Sequence, residues 1–442
     1  MSGWRRSIAA YTDRRVLLVL ALGFASGLPL LLTFLTLSAW LATAGVRRAA
    51  IGAFALVGTP YAFKFLWSPL MDWLPPPLPL GRRRGWGVAI QIALIASLLV
   101  LGSCDPRHHL GFMAGCALLV AFLSASQDVV IDAWRVEILP LDLQGPGAAM
   151  IQTGYRVGML ASGAGALVIA SRFGWFAAYA TMAALLVVGM LVFLFGPEPA
   201  SPMPAAVAAP TAKSIGHNRG WNALSRRLSN AVVGPFVDFM RRPLWLVILL
   251  FIVGYKMGEG TAAAMSTPLY ISLGFSLDEI ALMSKVVGAF AIVAGALIGG
   301  LVTVRFGIVR SLLLCGILQA VGNLAYVLQA HEGHRVAYLA ICVTAENLTG
   351  AMAGTALIAY LSSLCSPAYT ATQYALLSSL ASVGRTLVAS SSGLLAENLG
   401  WVRFFLLTTV VTVPALLLLI WIARRDDTHP DHPPPIPALT KP

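Results

Sequence analysis

The stretch Phe122-Leu-Ser-Ala-Ser-Gln-Asp128-Val-Val-Ile-Asp132-Ala-Trp134 places two carboxylates inside one of the most apolar parts of the chain. Asp128 and Asp132 are four residues apart, so on a helix they lie on the same face, one turn apart. The residues that lead into them, 111–125, carry no charge and predict a helix that crosses a bilayer. A charged side chain in hydrocarbon costs about 2.5–3.5 kcal/mol and normally faces a bundle interior or a wet cavity. The stretch therefore predicts a polar pathway through a membrane protein.

The composition of the whole chain supports this reading. Of the 442 residues, 58% are hydrophobic and 11% are charged, and the mean hydropathy is +0.80. Soluble domains carry about 25% charged residues, and one bilayer span needs about 20 apolar residues. We predict an all-α integral membrane protein with twelve transmembrane helices, at residues 16–39, 49–71, 86–103, 111–133, 147–170, 175–195, 244–268, 280–302, 309–329, 336–361, 370–396 and 401–423.

These spans divide the chain into four parts. We expect an N-terminal six-helix bundle (1–195), a cytoplasmic linker (196–243), a C-terminal six-helix bundle (244–425) and a disordered cytoplasmic tail (426–442). The linker begins with a stretch rich in proline and alanine and continues with arginines. Within it, residues 221–240 predict an amphipathic helix on the membrane surface.

The basic residues predict the orientation of the spans. The net charge is +12, and of the 30 lysines and arginines 19 fall in loops on one side, 6 on the other and 5 within spans. This asymmetry follows the positive-inside rule, so both termini and the linker are expected in the cytoplasm. The positive charge thus indicates membrane orientation and no nucleic-acid partner.

Neither cysteines nor histidines predict a cofactor or a metal site. The five cysteines are scattered without CxxC spacing, which argues against a disulfide framework. The histidines lie in loops or tails, where short pairs are usually solvated. The apolar run after the first arginines is too long for a signal peptide and is interpreted as a retained span.

The two halves of the chain repeat each other. Six spans, a basic linker and six more spans in parallel orientation are typical of a major-facilitator-type transporter. One match, at an offset of 231, pairs Gly23-Phe-Ala-Ser-Gly27 with Gly254-Tyr-Lys-Met-Gly258. The Gly-x-x-x-Gly spacing in both segments lets helices approach each other closely. At an offset of 226 the matches are Gly81 with Gly307, Arg84 with Arg310, Val157-Gly158 with Val383-Gly384, and Gly174-Trp175 with Gly400-Trp401.

The loop after the second span resembles the cytoplasmic gate motif of major-facilitator transporters. An acid at a helix end is followed by prolines and then by glycine and three arginines. In that motif, ion pairs between loop arginines and helix-end acids hold the two halves closed. The gating candidates, including the counterpart loop of the second half, are Asp72, Gly81, Arg82, Arg83, Arg84, Arg305 and Arg310.

Nine further charged residues lie inside predicted spans. The acids Asp128, Asp132, Glu259 and Glu346 are candidates for proton coupling, because a carboxylate in a low-dielectric cavity can load and release a proton. Cations that face the same cavity can hold an anionic substrate, and Arg156 can alternatively neutralise one aspartate. The cations are Lys64, Arg156, Lys256, Lys285 and Arg385.

Two other classes of protein fit part of this pattern. Asp-x-x-x-Asp also occurs in magnesium-dependent membrane prenyltransferases, where carboxylates hold the metal and a diphosphate. That class predicts a second acid pair, but the equivalent place in the second half holds Glu346-Asn347. A membrane receptor without transport does not require two repeated halves. A transporter therefore fits the sequence best.

The chain resembles the AmpG family of muropeptide permeases from its first span to its last. One departure is Glu259, where an aspartate is expected. The segments that carry the resemblance are Leu22-Gly-Phe-Ala-Ser-Gly-Leu-Pro29, Tyr61-Ala-Phe-Lys-Phe-Leu-Trp-Ser-Pro-Leu-Met-Asp72, Gly81-Arg-Arg-Arg-Gly-Trp86, Ser124-Ala-Ser-Gln-Asp-Val-Val-Ile-Asp-Ala-Trp134, Gly154-Tyr-Arg-Val-Gly-Met159, Tyr255-Lys-Met-Gly258, Glu346-Asn347 and Ala371-Thr-Gln-Tyr-Ala-Leu-Leu-Ser378.

The resemblance implies a monomeric importer, not an enzyme, in the inner membrane of a Gram-negative bacterium. Its cargo would be N-acetylglucosaminyl-1,6-anhydro-N-acetylmuramic acid with or without a peptide, driven by protons, for peptidoglycan recycling and β-lactamase induction. The alternative is a related permease for another anionic cargo, such as acetyl-CoA or a sugar phosphate, which should demand cations clustered at one depth. The expected substrate-binding residues are Lys64, Gln127, Gln152, Tyr155, Arg156, Lys256, Asn347, Gln373 and Arg385.

Overall fold

The computed structural model describes residues 3–199 and 233–428, which are helical with no β-strand among them. A short helix, Gly3–Ala9, precedes the N-terminal six: α1 (Arg14–Thr43), α2 (Ala49–Leu66, extended by Ser68–Trp73), α3 (Arg82–Gly102), α4 (Leu110–Ile138), α5 (144–173) and α6 (Trp175–Phe195). Helix 233–240 leads to α7 (Trp245–Ser272), α8 (Asp278–Phe306), α9 (Ile308–Glu332), α10 (Val336–Ser363), α11 (370–399) and α12 (401–428).

The prediction of twelve transmembrane helices is confirmed, with most helices a few residues longer than expected. Ten of the described helices are long and apolar enough to cross a bilayer. The two others, α5 and α11, carry more glycine, serine, threonine and glutamine and complete two bundles of six helices. Both helices contribute polar residues to a cavity between the two halves.

Four tight glycine turns support the internal repeat. Gly81 and Gly307 precede α3 and α9 with φ/ψ of 97°/165° and 80°/166°, and Gly174 and Gly400 precede α6 and α12 with 85°/167° and 71°/164°. This backbone region is essentially restricted to glycine. The glycine matches 81/307 and 174/400 therefore mark equivalent turns in the two halves.

The Gly-x-x-x-Gly motifs pack against different neighbours in the two halves. A Cβ on Gly27 would meet the carbonyl of Tyr155, so α1 packs backbone to backbone on α5. In contrast, a Cβ on Gly258 would meet Thr412, on α12. The two segments that match at an offset of 231 therefore do not make equivalent contacts. The glycine face of α1 packs on α5, whereas the glycine face of α7 packs on α12.

The segment that enters the second half lies against protein. Residues 233–240 are helical, and Phe239 is buried in the core of the C-terminal half. Gln373 donates to the carbonyl of Pro235 at 3.1 Å and to Asp238 at 2.8 Å. The described part of the predicted amphipathic helix therefore docks on α11 and does not rest on lipid alone, while residues 221–232 and the predicted tail from 429 lie outside the described residues.

We predict that Gly27→Val lowers the stability of the protein far more than Gly111→Val. The added side chain at residue 27 meets the backbone of α5, which cannot shift without separating two helices, whereas nothing lies within 4 Å of a Cβ at residue 111. Overpacking of this kind costs about 1–3 kcal/mol or more. Melting temperatures of both purified variants in detergent measure the effect, and equal melting temperatures would contradict the packing described here.

Candidate transport site

One end of the bundle, here called the terminal face, carries the start of α1 and α7 and the end of α6 and α12. At this face the carboxylate of Asp72 crosses to the other half and accepts hydrogen bonds at the first turn of α11. Its partners are the amide of Ala371 at 3.3 Å and the amide and hydroxyl of Thr372, both at 2.8 Å. An anion at a helix N-terminus satisfies free N–H groups and complements the helix dipole. Asp72 therefore links the two halves directly, and this contact with Ala371 and Thr372 is called the clasp.

Arg83 supports the clasp from within the N-terminal half. Its side chain is fully buried and pairs with Asp72 at 2.7 Å and with Glu137 at 2.5 Å. Arg82 reaches Glu137 at 3.3 Å. Buried ions are tolerated only when they are paired and hydrogen-bonded. These ion pairs join the end of α2, the start of α3 and the end of α4.

The remaining predicted gating residues divide between the halves. Arg84 donates to the carbonyls of Phe193 and Leu194 at the end of α6, and the amides of Arg83 and Arg84 donate to Glu198. Gly81 lies beside the same carboxylate. In the second half, Arg305 and Arg310 are exposed, and Arg305 lies over the ring of Phe306 at 5.6 Å. The gate cluster is thus built on the N-terminal loop.

Further contacts close the terminal face. Tyr11 donates to the carbonyl of Leu297 at 2.6 Å, and Arg135 donates to Ser362 at 3.0 Å. A Cβ on Gly145 would meet Thr303, so the start of α5 touches the end of α8. These contacts lie between the terminal face and the middle of the bundle, and they seal that end of the protein.

A cavity of about 460 Å³ lies between the two halves, beyond this seal. It gathers eight of the nine charges predicted within spans: Lys64, Asp128, Asp132, Arg156, Lys256, Glu259, Glu346 and Arg385. The ninth, Lys285, is exposed and does not line this cavity. The carboxylates and cations that are far apart in sequence therefore form one polar site in the middle of the membrane domain.

The N-terminal side of the cavity holds the aspartate pair of α4. Asp128 accepts a hydrogen bond of 2.5 Å from Ser26 of α1. Asp132 lies 3.8 Å from both Lys64 of α2 and Arg135 of its own helix. The two aspartates share a face as predicted, and among the described residues no ion pair joins either of them to Arg156.

The C-terminal side holds a second charge cluster. Lys256 forms an ion pair with Glu259 and donates to the carbonyl of Gly350 at 3.3 Å. Gln319 donates to Glu259 at 2.5 Å. Lys256 occupies the break of α7 between Tyr255 and Met257, so a local interruption of the helix positions the ammonium group.

Two cavity cations have no ion pair among the described residues. Arg156 of α5 and Arg385 of α11 line the cavity and are exposed to solvent there. A guanidinium that is neither neutralised nor buried can donate bidentate hydrogen bonds to a carboxylate. These two arginines are the groups of the site that are free to hold an anionic ligand.

The predicted substrate-binding residues do not all reach the cavity. Lys64, Gln152, Tyr155, Arg156, Lys256, Asn347 and Arg385 line it. Gln127 is buried elsewhere at 1% exposure, and the amide of Gln373 is used by the helix at residues 233–240. Gln127 lies on α4 next to Asp128 in sequence, but its side chain points to another face.

Four functional contacts were not anticipated from the sequence. Glu137 and Glu198 complete the gate cluster, and Ser26 and Gln319 hold Asp128 and Glu259. Ser26 lies within the Gly23–Gly27 motif, and this position in a helix-packing motif could have identified it from the sequence. Nothing in the sequence around Gln319 marks it, because its role depends on how α9 packs on α7.

Comparisons with known proteins agree with this architecture. A family model described as Major Facilitator Superfamily matches residues 16–389 and 257–442. The anhydromuropeptide permease of Escherichia coli (strain K12) is 41% identical over 413 residues, which cover 93% of this chain and 80% of the relative. Putative transporter AmpG 4 of Rickettsia conorii (strain ATCC VR-613 / Malish 7) is 32% identical over 420 residues, covering 94% and 98%.

Two solved structures share the fold at low sequence identity. The human organic anion transporter MFSD10 (TETRAN) aligns with a TM-score of 0.62 and 17% identity, covering 95% of this chain and 100% of that chain. The proton:xylose symporter XylE, bound to 6-bromo-6-deoxy-D-glucose, aligns with a TM-score of 0.63 and 13% identity, covering 94% and 96%.

We predict that Asp72→Asn opens the terminal face. Removing the charge leaves Arg83 without one of its two buried partners and weakens the cap on α11, and breaking such a pair costs about 3–5 kcal/mol. Cys365, partly buried at the end of α10, is a natural reporter once the other four cysteines are replaced by alanine. Its maleimide labelling should accelerate about tenfold or more.

The matched control for this prediction is Arg310→Gln. Arg310 is an exposed cation of the counterpart loop, and its removal should leave the labelling rate of Cys365 unchanged. Equal rates for Asp72→Asn and Arg310→Gln would show that the clasp does not hold this end closed.

Proposed function

The chain belongs to the Major Facilitator Superfamily and, within it, to the AmpG family of permeases, and we propose that it imports anhydro-muropeptides together with protons. It is a transporter and not an enzyme, so the Asp-x-x-x-Asp enzyme hypothesis is wrong. The observation that carries the proposal is the cavity in which four carboxylates and four cations meet between the halves. Imported muropeptides would serve peptidoglycan recycling and β-lactamase induction.

The cavity suits a cargo that has sugar hydroxyls and several carboxylates. Arg156 and Arg385 line the cavity and form no ion pair with an acid in the described part of the chain, so they are available to bind carboxylates. Gln152, Tyr155 and Asn347 add amide and hydroxyl groups for amide and sugar oxygens. The wall carries both signs of charge, which fits a peptide with carboxylates and an amine better than it fits a purely anionic ligand.

A cargo such as acetyl-CoA or a sugar phosphate would need cations concentrated at one level. At 1.5 Å per helical residue, the four cavity cations lie about 13 to 22 Å from the ends of their helices at the terminal face. They come from four helices, two in each half, and share the cavity with four carboxylates. This arrangement favours an extended ligand with separated charges over a compact phosphate.

We assign proton coupling to Asp128 and Asp132, with Glu259 and Glu346 as the second pair. Protonation of Asp132 would remove the attraction that holds Lys64 at 3.8 Å and free this ammonium group for the cargo. A carboxylate that lines a membrane cavity can exchange a proton with each side as access alternates. Proton and cargo would thus be bound and released together.

We place the terminal face in the cytoplasm of a Gram-negative bacterium, with the protein in the inner membrane. The positive-inside asymmetry supports this orientation. The structure then represents the state that is sealed toward the cytoplasm, and the cavity receives cargo from the periplasm. Because one chain encloses the whole cavity, a monomer suffices. Inward release requires that Asp72 leave the first turn of α11.

We predict that proteoliposomes containing the transporter accumulate labelled anhydro-disaccharide only when a pH gradient is imposed. Asp128→Asn and Asp132→Asn should abolish accumulation, because neither amide can carry a proton. Asp105→Asn is the matched control. This loop aspartate is held below its ordinary pKa by hydrogen bonds from His108 and from the amide of Arg107, so it remains ionised under assay conditions.

Two outcomes would contradict the proposal. Accumulation without a gradient would exclude proton coupling, and uptake unchanged in both aspartate variants would exclude Asp128 and Asp132 as its carriers. Uptake of acetyl-CoA or a sugar phosphate in place of the disaccharide would favour the alternative cargo.

We predict that Arg156→Gln and Arg385→Gln each raise the KM for the peptide-bearing muropeptide. A hydrogen bond to a charged group contributes about 1.5–3 kcal/mol, so the increase should be about tenfold or more. Lys285→Gln removes a cation from a transmembrane helix without touching the cavity and should leave the KM unchanged. Equal effects of all three substitutions would indicate a general effect of charge.

A further inference from the structure

A second chamber of about 310 Å³ opens beside the charged cavity, between α1 and α2 on one side and α11 on the other. Five residues line both spaces and form the passage between them: Lys64, Tyr155, Ser378, Ser382 and Arg385. The chamber is therefore continuous with the transport site but has walls of its own.

Those walls have a different chemistry from the main cavity. Beyond the shared passage the chamber is lined by Leu30, Phe34, Gly58, Tyr61 and Ser379, which carry no charge. The rings of Phe34 and Tyr61 lie 6.4 Å apart between centroids. The chamber thus offers aromatic surface and hydroxyl groups, with cations only at its mouth.

The aromatic wall depends on local backbone features. Phe34 stands at the break in α1 between Thr33 and Leu35, with φ/ψ of −114°/−89°. A Cβ on Gly58 would collide with the Phe34 ring, so glycine makes room for that ring against α2. The break and the glycine together set the shape of this side of the chamber.

Two polar atoms of the chamber lack hydrogen-bond partners. Ser379 is 5% exposed, and its Oγ makes no hydrogen bond. Tyr61 Oη lies near the hydroxyls of Ser124 and Thr33 but makes no hydrogen bond of normal geometry. Buried polar atoms are nearly always paired. Both side chains line the chamber, and a rotation of either side chain would turn its hydroxyl toward a hydroxyl or amide group of a ligand there.

We propose that this chamber binds an N-acetylhexosamine ring of the cargo, an inference that rests on the proposed function. The C–H faces of the sugar pack on Phe34 and Tyr61, and its hydroxyl or acetamido groups bond Ser379 and Tyr61. The lactyl group of the sugar lies at Lys64 and Arg385, in the passage, as a free carboxylate in the disaccharide and as an amide carbonyl in the peptide-bearing ligand. The peptide then extends into the main cavity, where carboxylates and cations alternate.

The test measures binding to the full-length transporter in detergent. The two ligands are the anhydro-disaccharide and the same disaccharide with its peptide. Ser379→Ala and Tyr61→Phe should each weaken both ligands by the same factor, about 2- to 10-fold, because each loses one neutral hydrogen bond to the shared sugar. Ser162→Ala, a buried serine of α5 outside the chamber, should bind both like the wild type.

The outcomes separate this inference from the function on which it rests. If the wild type binds both ligands and the two chamber variants bind them equally well, the sugar is not in the chamber. If the variants weaken only the peptide-bearing ligand, the chamber holds peptide and the assignment is wrong. If the wild type binds neither ligand, the proposed function itself fails. Melting temperatures equal to the wild type ensure that weaker binding does not reflect misfolding.

Discussion

A charge in the middle of a bilayer must find an opposite charge, a hydrogen-bonding dipole or water, and the architecture of this permease is organised by that requirement. At the terminal face the requirement is met by protein alone. The buried Arg83 is held between Asp72 and Glu137, and Asp72 is in turn satisfied by the first turn of α11. In the middle of the protein the requirement is met partly by a wet cavity, where Arg156 and Arg385 remain without ion pairs among the described residues. The same physical cost therefore accounts for buried ion pairs at one level and for a charged cavity at another.

The two halves repeat each other in backbone more closely than in charge. Equivalent glycines make the same turns before α3, α6, α9 and α12. The gate cluster, however, is built on the loop before α3, while Arg305 and Arg310 of the counterpart loop are exposed. The frame is symmetric, but the ion pairs that we propose as a gate are present in the described part of one half only. The contact between Asp72 and α11 joins the halves directly.

Close helix packing and the polar cavity are linked through α5 and α11. Both helices bring a glycine against the backbone of a neighbour, Gly158 on α1 and Gly384 on α7, and both present an unpaired arginine to the cavity. Small residues on one face let the helix approach its bundle, and polar residues on the other face line the pathway. A helix with such a division falls below the apolarity of an ordinary span, which is why these two stand apart from the other ten.

The sequence by itself determined the number of spans, the repeat and the inventory of charges inside the membrane, because each of these is encoded locally in hydropathy, spacing or residue type. Only the tertiary structure decided which charges meet. It placed Lys285 outside the cavity, gave Gln373 to the helix at residues 233–240, brought Gln319 to Glu259 and turned Gly258 toward α12. The physical reason is the rotation of each helix about its own axis. In water a polar face fixes that rotation, but in lipid both the outer and the packed faces of a helix are apolar, so the rotation is set by close packing with neighbouring helices.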